Sequence, residues 1–284
     1  MHNPYIRKIT VTLFCSLLIL GCTGNGSGRQ TDGDSITADA TTEAAMPKHI
    51  EMTIDSFKYS QHSANGTCEV HIDYPTGGPE EAVRAVRDFI KATLFEDGGV
   101  SRSDDPMQLV RDYCTERQEH LSKTLEQMDI SNVSKDDAPE EGIDIRAVCL
   151  NDKFVTYEIY RFSYITHGAH GEYSDYGVTF RMSDGHRFGN DILNNMDEDL
   201  YSHIKAGMKS YFGVKTDAEL QEICTTDLGL MPMPTFPPFL VRDGVRFHYS
   251  IYDICGFDDG DPVITIPYSV IKPYLTKEAR EMIE

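Results

Sequence analysis

The chain has 284 residues, with 26 basic against 46 acidic side chains and a formal net charge of −20. That balance disfavours nucleic acid as a partner, because nucleic acid selects basic patches, and anionic lipid for the same reason. It favours solubility and attracts cationic partners over long range.

The first segment is a removable start. Arg7 and Lys8 precede the apolar run ITVTLFCSLLIL, and GCTGNGSG follows. This order marks a secretory signal over 1–21. The run is short of the roughly 20 residues a membrane span needs. Ile19-Leu20-Gly21-Cys22 resembles a bacterial lipobox. The resemblance implies cleavage before Cys22 and a lipid on that residue, so that the membrane is a partner through the anchor at Cys22 alone. The expected location is the bacterial cell envelope, outside the cytoplasm. An ordinary signal with a chance cysteine is the plainer alternative. Loss of 1–21 removes Arg7 and Lys8 and no acid, which leaves 24 basic against 46 acidic residues, a balance of −22. Residues 22–47 are Gly, Ser, Thr, Asp and Ala with almost no large apolar side chain, and read as a flexible tether.

Two strands open the folded part, HIEMTIDSF and CEVHIDY, the second with Val70, Ile72 and Tyr74 on one face. A helix follows, with Pro79 suited to its first position, Glu80 and Glu81 in its first turn and a stripe of Val83, Val86, Ile90 and Leu94. DDPMQLVRDYCTERQEHLSKTLEQM predicts a second helix that turns Met107, Val110, Cys114, Leu121 and Leu125 inward. SNVSKDDAPEEG is a polar break. IDIRAVCL and KFVTYEIYRFSY are strands joined at Asn151-Asp152. The second is aromatic on both faces, hence central in its sheet or bulged near Ile159 and Tyr160. DYGVTFRM alternates, with Tyr176, Val178, Phe180 and Met182 on one face, and Ser183-Asp184-Gly185 turns the chain.

A helix over NMDEDLYSHIKAGMKSYFG uses Leu200, Ile204, Met208 and Tyr211. Thr216 and Glu219 form a capping box for another. LGLMPMPTFPPF is extended. A hairpin turns at Asp243-Gly244, with Val245, Phe247, Tyr249 and Ile251 on one face and Arg246, His248 and Ser250 on the other. A last strand and a short helix close the chain. Strands and helices do not alternate regularly, so the expected fold class is α+β, two small domains of antiparallel sheet packed with helices, at 48–150 and 151–284. Seven cysteines include Cys15 in the signal and Cys22. Cys68, Cys114, Cys149, Cys224 and Cys255 are an odd number with no framework spacing and no CxxC; the compartment permits disulfides, and most of the five are expected as buried free thiols.

The segment YRFSYITHGAHGEYSDYGVTFRMSDGHRFGNDIL is similar to the extracellular domain shared by the anti-sigma factor RsiV and the peptidoglycan deacetylase PdaC. Gly168-Ala169-His170-Gly171 matches that family's glycine-rich turn, with His167 in place of its usual first glycine. Asp191-Ile192-Leu193 matches a later pair, and the closing segment through Ile-Pro-Tyr resembles the family's end. The likeness spans about 153–275, and the segment before it looks more loosely like the accompanying PdaC-type domain. The resemblance implies an accessory, non-catalytic part and makes lysozyme, a cationic protein, or cell-wall glycan a candidate partner. The deacetylase's metal-ligand motifs do not occur in this sequence.

The His loop allows four readings. His167-x-x-His170 could hold a metal with Glu172 or Asp175, and His186 or His248 as a third ligand, but glycines flank the pair and no glutamate lies between. Catalysis by His170 needs a nucleophile and an orienting acid, and no GxSxG occurs. A structural His170 would brace the turn, with Gly168 and Gly171 at positive φ and Asp191 beyond it. Recognition could use His170, His167 and Tyr173, while Tyr176 belongs to the core face. FDDGD, with Asp258, Asp259 and Asp261, reads as a solvated turn rather than a calcium loop. The expectation is a non-enzymatic binder with no cofactor, no catalytic residue and no metal. A metal-dependent hydrolase or deacetylase using His170 and a purely structural envelope lipoprotein are the rivals.

Overall fold

The computed structural model describes residues 51–95, 103–131, 133–134, 137–194, 196–229 and 231–284. The expected signal, Cys22 and the tether lie outside them. Among the described residues no helix is long and apolar enough to cross a membrane.

The strands β1 (Thr53–Ser63), β2 (Gly66–Gly77), β3 (Glu140–Leu150), β4 (Phe154–Tyr164) and β5 (Glu172–Arg181) form one sheet in chain order. β1 and β2 make an antiparallel hairpin, as do β3 with β4 and β4 with β5; β2 and β3 run parallel. The crossover between them contains α1 (Glu80–Leu94) and α2 (Pro106–Gln127). Pro79 is the N-cap of α1, one place before the position expected for it, and Glu80 and Glu81 fill the first turn. Asp105 caps α2 by accepting from the Met107 N–H at 2.9 Å. The expected stripes of both helices are buried, with Met107 half-buried, and all of them but Leu121 and Leu125 share one core with Val70, Ile72, Ile145, Tyr157, Ile159, Val178 and Phe180.

β4 lies between β3 and β5, which explains its aromatic residues on both faces. It is unbroken. The bulge is in β3, between Ala147 and Cys149. β2 and β3 pair no further than Ile72 and Ile145, and there the Asp73 carboxylate accepts from the Ala147 N–H at 3.0 Å. A backbone donor that leaves the ladder is thereby satisfied.

A second sheet, β6 (Phe239–Leu240), β7 (Gly244–His248) and β8 (Val263–Pro267), is antiparallel throughout. It shares a second core with α3 (Glu198–Phe212), α4 (Asp217–Ile223), α5 (Tyr268–Ile271) and α6 (Lys277–Glu281). The Thr216–Glu219 capping box is present. Tyr211 departs from the expected stripe of α3: it is exposed, and Phe212 packs on the core instead. The class is α+β. The expected boundary at residue 150 falls in the turn between β3 and β4 of one sheet. The two cores meet across β4, where Val155 faces the first and Phe154 the second, and Pro47–Glu284 is one compact unit.

Candidate ligand-recognition site

The second sheet covers the β4–β5 face opposite α1 and α2. Register places Thr156 opposite Thr179, Glu158 opposite Gly177, Tyr160 opposite Asp175 and Phe162 opposite Tyr173. At the inner end, Thr156 donates to the Leu240 carbonyl at 2.7 Å, and the Leu240 N–H donates to Thr179 Oγ1 at 3.0 Å. The two hydroxyls lie 2.9 Å apart. Next along the face, a Cβ on Gly177 would stand 2.4 Å from the Phe239 ring, so only glycine admits that ring. Then Arg246 pairs with Glu158.

One step further, His248 is 4% exposed, with Nδ1 at 3.7 Å from Asp175 and Nε2 at 3.3 Å from Asp261. His248 was expected on a polar hairpin face, but Asp175 and Asp261 close over it. Asp261 accordingly leaves the solvated turn expected of FDDGD, whereas Asp258 and Asp259 stay exposed. Asp175 Oδ1 is buried without a hydrogen-bond partner. Burial pushes this carboxyl up to about 6, against the pull of His248. The three side chains bring ligand atoms within 4.8 Å of one another. In this arrangement, however, the imidazole turns a different nitrogen to each carboxylate, Nε2 within hydrogen-bond distance of Asp261 and Nδ1 beyond it from Asp175, so the three groups are not aimed at one point.

The open end of the face is aromatic. His170 stacks on Phe257 with ring centroids 3.9 Å apart, and its Nε2 lies 3.4 Å from the Tyr252 hydroxyl. Tyr173 meets Phe257 edge-on at 6.1 Å and Tyr160 at 6.2 Å. Tyr252 is 61% exposed and Tyr160 41%. A cavity of about 230 Å³ lies between His170, Tyr173, Ile251, Tyr252 and Phe257. Tyr252 has φ +68, a strained conformation for a bulky side chain. The loop around it is fastened. Asp253 accepts from the N–H groups of Ser250 at 2.8 Å and Thr235 at 3.2 Å, and Tyr249 donates to the Pro232 carbonyl at 2.7 Å. Burial raises the Tyr160 hydroxyl above its usual range.

Comparison with solved structures places this architecture. A crystal structure of a DUF3298 family member from Bacteroides fragilis matches with a TM-score of 0.66 at 22% identity, over 81% of this chain and 97% of that one. The fold is that of DUF3298 proteins. A second member, from Pseudomonas aeruginosa, matches with a TM-score of 0.52 at 16% identity, over 81% of this chain and 95% of its own. No family model matches the sequence, and no curated protein does.

Within the DUF3298 fold, the expected His167–His170 pair is divided. His167 Nδ1 meets Asp137 at 3.0 Å, and the same carboxylate takes the Tyr164 hydroxyl and the His167 N–H. The Tyr164 bond holds Asp137 below the usual carboxylate range. His170 instead meets Gly171 C=O, Phe257 and Tyr252. The expected positive φ at Gly168 and Gly171 is absent. His167 takes the left-handed conformation at φ +67. The glycines supply room: a Cβ on Gly171 would lie 2.4 Å from the Phe162 ring, and one on Gly168 would lie 2.9 Å from the Ile165 carbonyl. Asp191 braces its turn, accepting from the Gly189 N–H at 2.6 Å and meeting His186 Nε2 at 2.7 Å. Tyr176 packs on the first core and stacks on Phe236, and Tyr173 is half-buried at the rim. Sequence reading missed Tyr160, Tyr252 and Phe257 as site residues, which come from segments nearly 100 residues apart; the one local signal was the aromatic Phe257 that opens FDDGD. It also missed Asp137, in a break read only as polar.

Proposed function

We propose that this protein is an envelope lipoprotein, anchored through Cys22, whose DUF3298-type domain binds a basic extracytoplasmic protein of the lysozyme kind without catalysing a reaction. The observation that carries this reading is the aromatic rim of Tyr160, His170, Tyr173, Tyr252 and Phe257. An exposed tyrosine held in a strained backbone on a fastened loop offers a preorganised, amphipathic anchor. Glu172, Asp258 and Asp259 are exposed near it and suit a cationic partner. The likeness to the RsiV and PdaC extracellular domain supports the same direction. His170 places its two nitrogens against a carbonyl and a tyrosine hydroxyl, and among the described residues no carboxylate orients it as a general base.

The test is a titration of the purified protein with lysozyme and with an equally basic protein of similar size, at low and moderate salt. Saturable binding to lysozyme alone that survives moderate salt and weakens at least about tenfold in Tyr252→Ala is expected. Binding to both proteins that vanishes with salt would reduce the attraction to net charge. Absence of binding would overturn the reading and direct the search to cell-wall glycan.

A further inference from the structure

Cys224 ends α4, and Cys255 lies in the loop that carries Tyr252 and Phe257. The two are partners in an isolated antiparallel bridge. The Thr225 N–H donates to the Ile254 carbonyl at 2.8 Å. That bond joins the residue after one cysteine to the residue before the other, so the cysteines occupy the non-hydrogen-bonded position of the bridge. At this position Cα atoms approach to about 4.5 Å and the side chains lie closest. A disulfide spans Cα separations of about 4.4–6.8 Å, a range that includes the usual spacing of this position. In this structure both thiols are free and Cys255 Sγ donates to the Gly260 carbonyl at 3.6 Å, so closing the bond takes side-chain rotation. Both residues are buried in the second core.

We infer that Cys224 and Cys255 form a disulfide that staples the aromatic loop to the end of α4. The expectation of free thiols for most of the five cysteines came from their odd number, spacing and burial, and it leaves room for one pair. The crosslink closes a loop of about 30 residues and restrains the unfolded chain. The oxidant is a disulfide, either of a thioredoxin-like protein or of glutathione. One cysteine thiolate attacks it, forming a mixed disulfide and releasing one reduced thiol. The other cysteine, as thiolate, then attacks the mixed disulfide and displaces the second. Two cysteine thiols are oxidised, and the oxidant's disulfide is reduced to two thiols. Burial and the neighbouring acids push the Cys255 thiol up to about 11. Exchange is accordingly slow once the chain is folded, and the bond forms during folding. Cys68 and Cys114 are also neighbours, since Cys114 donates to the Cys68 carbonyl at 3.5 Å, but a strand and a helix carry them and no backbone bridge sets their register.

The crosslink stands on the bridge geometry, and only its service to ligand binding rests on the recognition reading. The full-length protein is refolded with oxidised and reduced glutathione, quenched in acid, and alkylated under denaturing conditions without reductant. Its proteolytic peptides are then weighed. The expected result is a peptide pair joining Cys224 to Cys255, about 2 Da lighter than the two reduced peptides together and separated by reductant. Alkylation of both cysteines, or their connection to other partners, would overturn the inference. A crosslinked protein that binds no lysozyme would remove the recognition reading and leave the disulfide standing.

Discussion

The two ends of the β4–β5 face are built from one ladder to different specifications. At the inner end, the Thr156 and Thr179 hydroxyls meet both polar groups of Leu240, and the Phe239 ring fills the space a missing side chain leaves at Gly177. At the outer end, an acid keeps a buried oxygen without a hydrogen bond, a tyrosine sits at positive φ, and aromatic rings stand in solvent. Satisfied polar groups and dense packing stabilise; orphaned or strained groups cost free energy and persist where another requirement holds them. The contrast separates the part of this surface that holds the sheets together from the part that remains exposed at the rim.

The comparison can be broken most directly at Gly177. Gly177→Ala drives a methyl into the Phe239 ring, and a loss of about 3 kcal/mol in urea denaturation is expected. A loss below about 1 kcal/mol would mean that the sheets are not closely docked. Asp175→Asn sharpens the outer end through pH. The folded carboxyl titrates near 6, above its ordinary value of 3.8, so its contribution is fully present below about 4 and is lost as pH rises through 6. Asparagine does not titrate. The variant is therefore expected to gain roughly 2 kcal/mol relative to the parent between pH 4 and pH 7, and parallel stability profiles would refute this. Thr179→Val keeps the shape of the inner end and removes the acceptor of the Leu240 N–H, for an expected loss of about 1–2 kcal/mol at every pH. Tyr252→Ala should change stability by less than about 0.5 kcal/mol while weakening ligand binding. A stability loss comparable to that of Thr179→Val would make Tyr252 a structural residue.

Much of the fold was legible because strand alternation and helical stripes are local. Val70, Ile72 and Tyr74 face one core, and Val83, Val86, Ile90 and Leu94 another side of it, as their spacing requires. His248 was misplaced because alternation reports which side of a strand a residue occupies, and here a loop residue, Asp261, and Asp175 of the other sheet cover that side as well. The roles of Gly168 and Gly171 were misread for a related reason: a glycine signals either positive φ or a close approach, and the Phe162 ring that decides between them is a tertiary neighbour. The aromatic rim was hidden because His170, Tyr252 and Phe257 converge only after the second sheet folds back over β4 and β5.

The parallel junction of β2 with β3 has a kinetic consequence. Each hairpin closes a short loop, whereas Ile72 can meet Ile145 only after the intervening chain with both crossover helices is gathered. Loop-closure entropy delays such pairings until other contacts reward them. The N-terminal hairpin and the β3–β4–β5 meander are thus expected to assemble separately and join late. Ile159→Val, inside the meander and opposite Ile145, should slow folding, with most of its stability loss carried by the folding rate. Until the halves join, the β3 edge that will receive β2 is bare, and a chain halted at that stage offers it to any other strand.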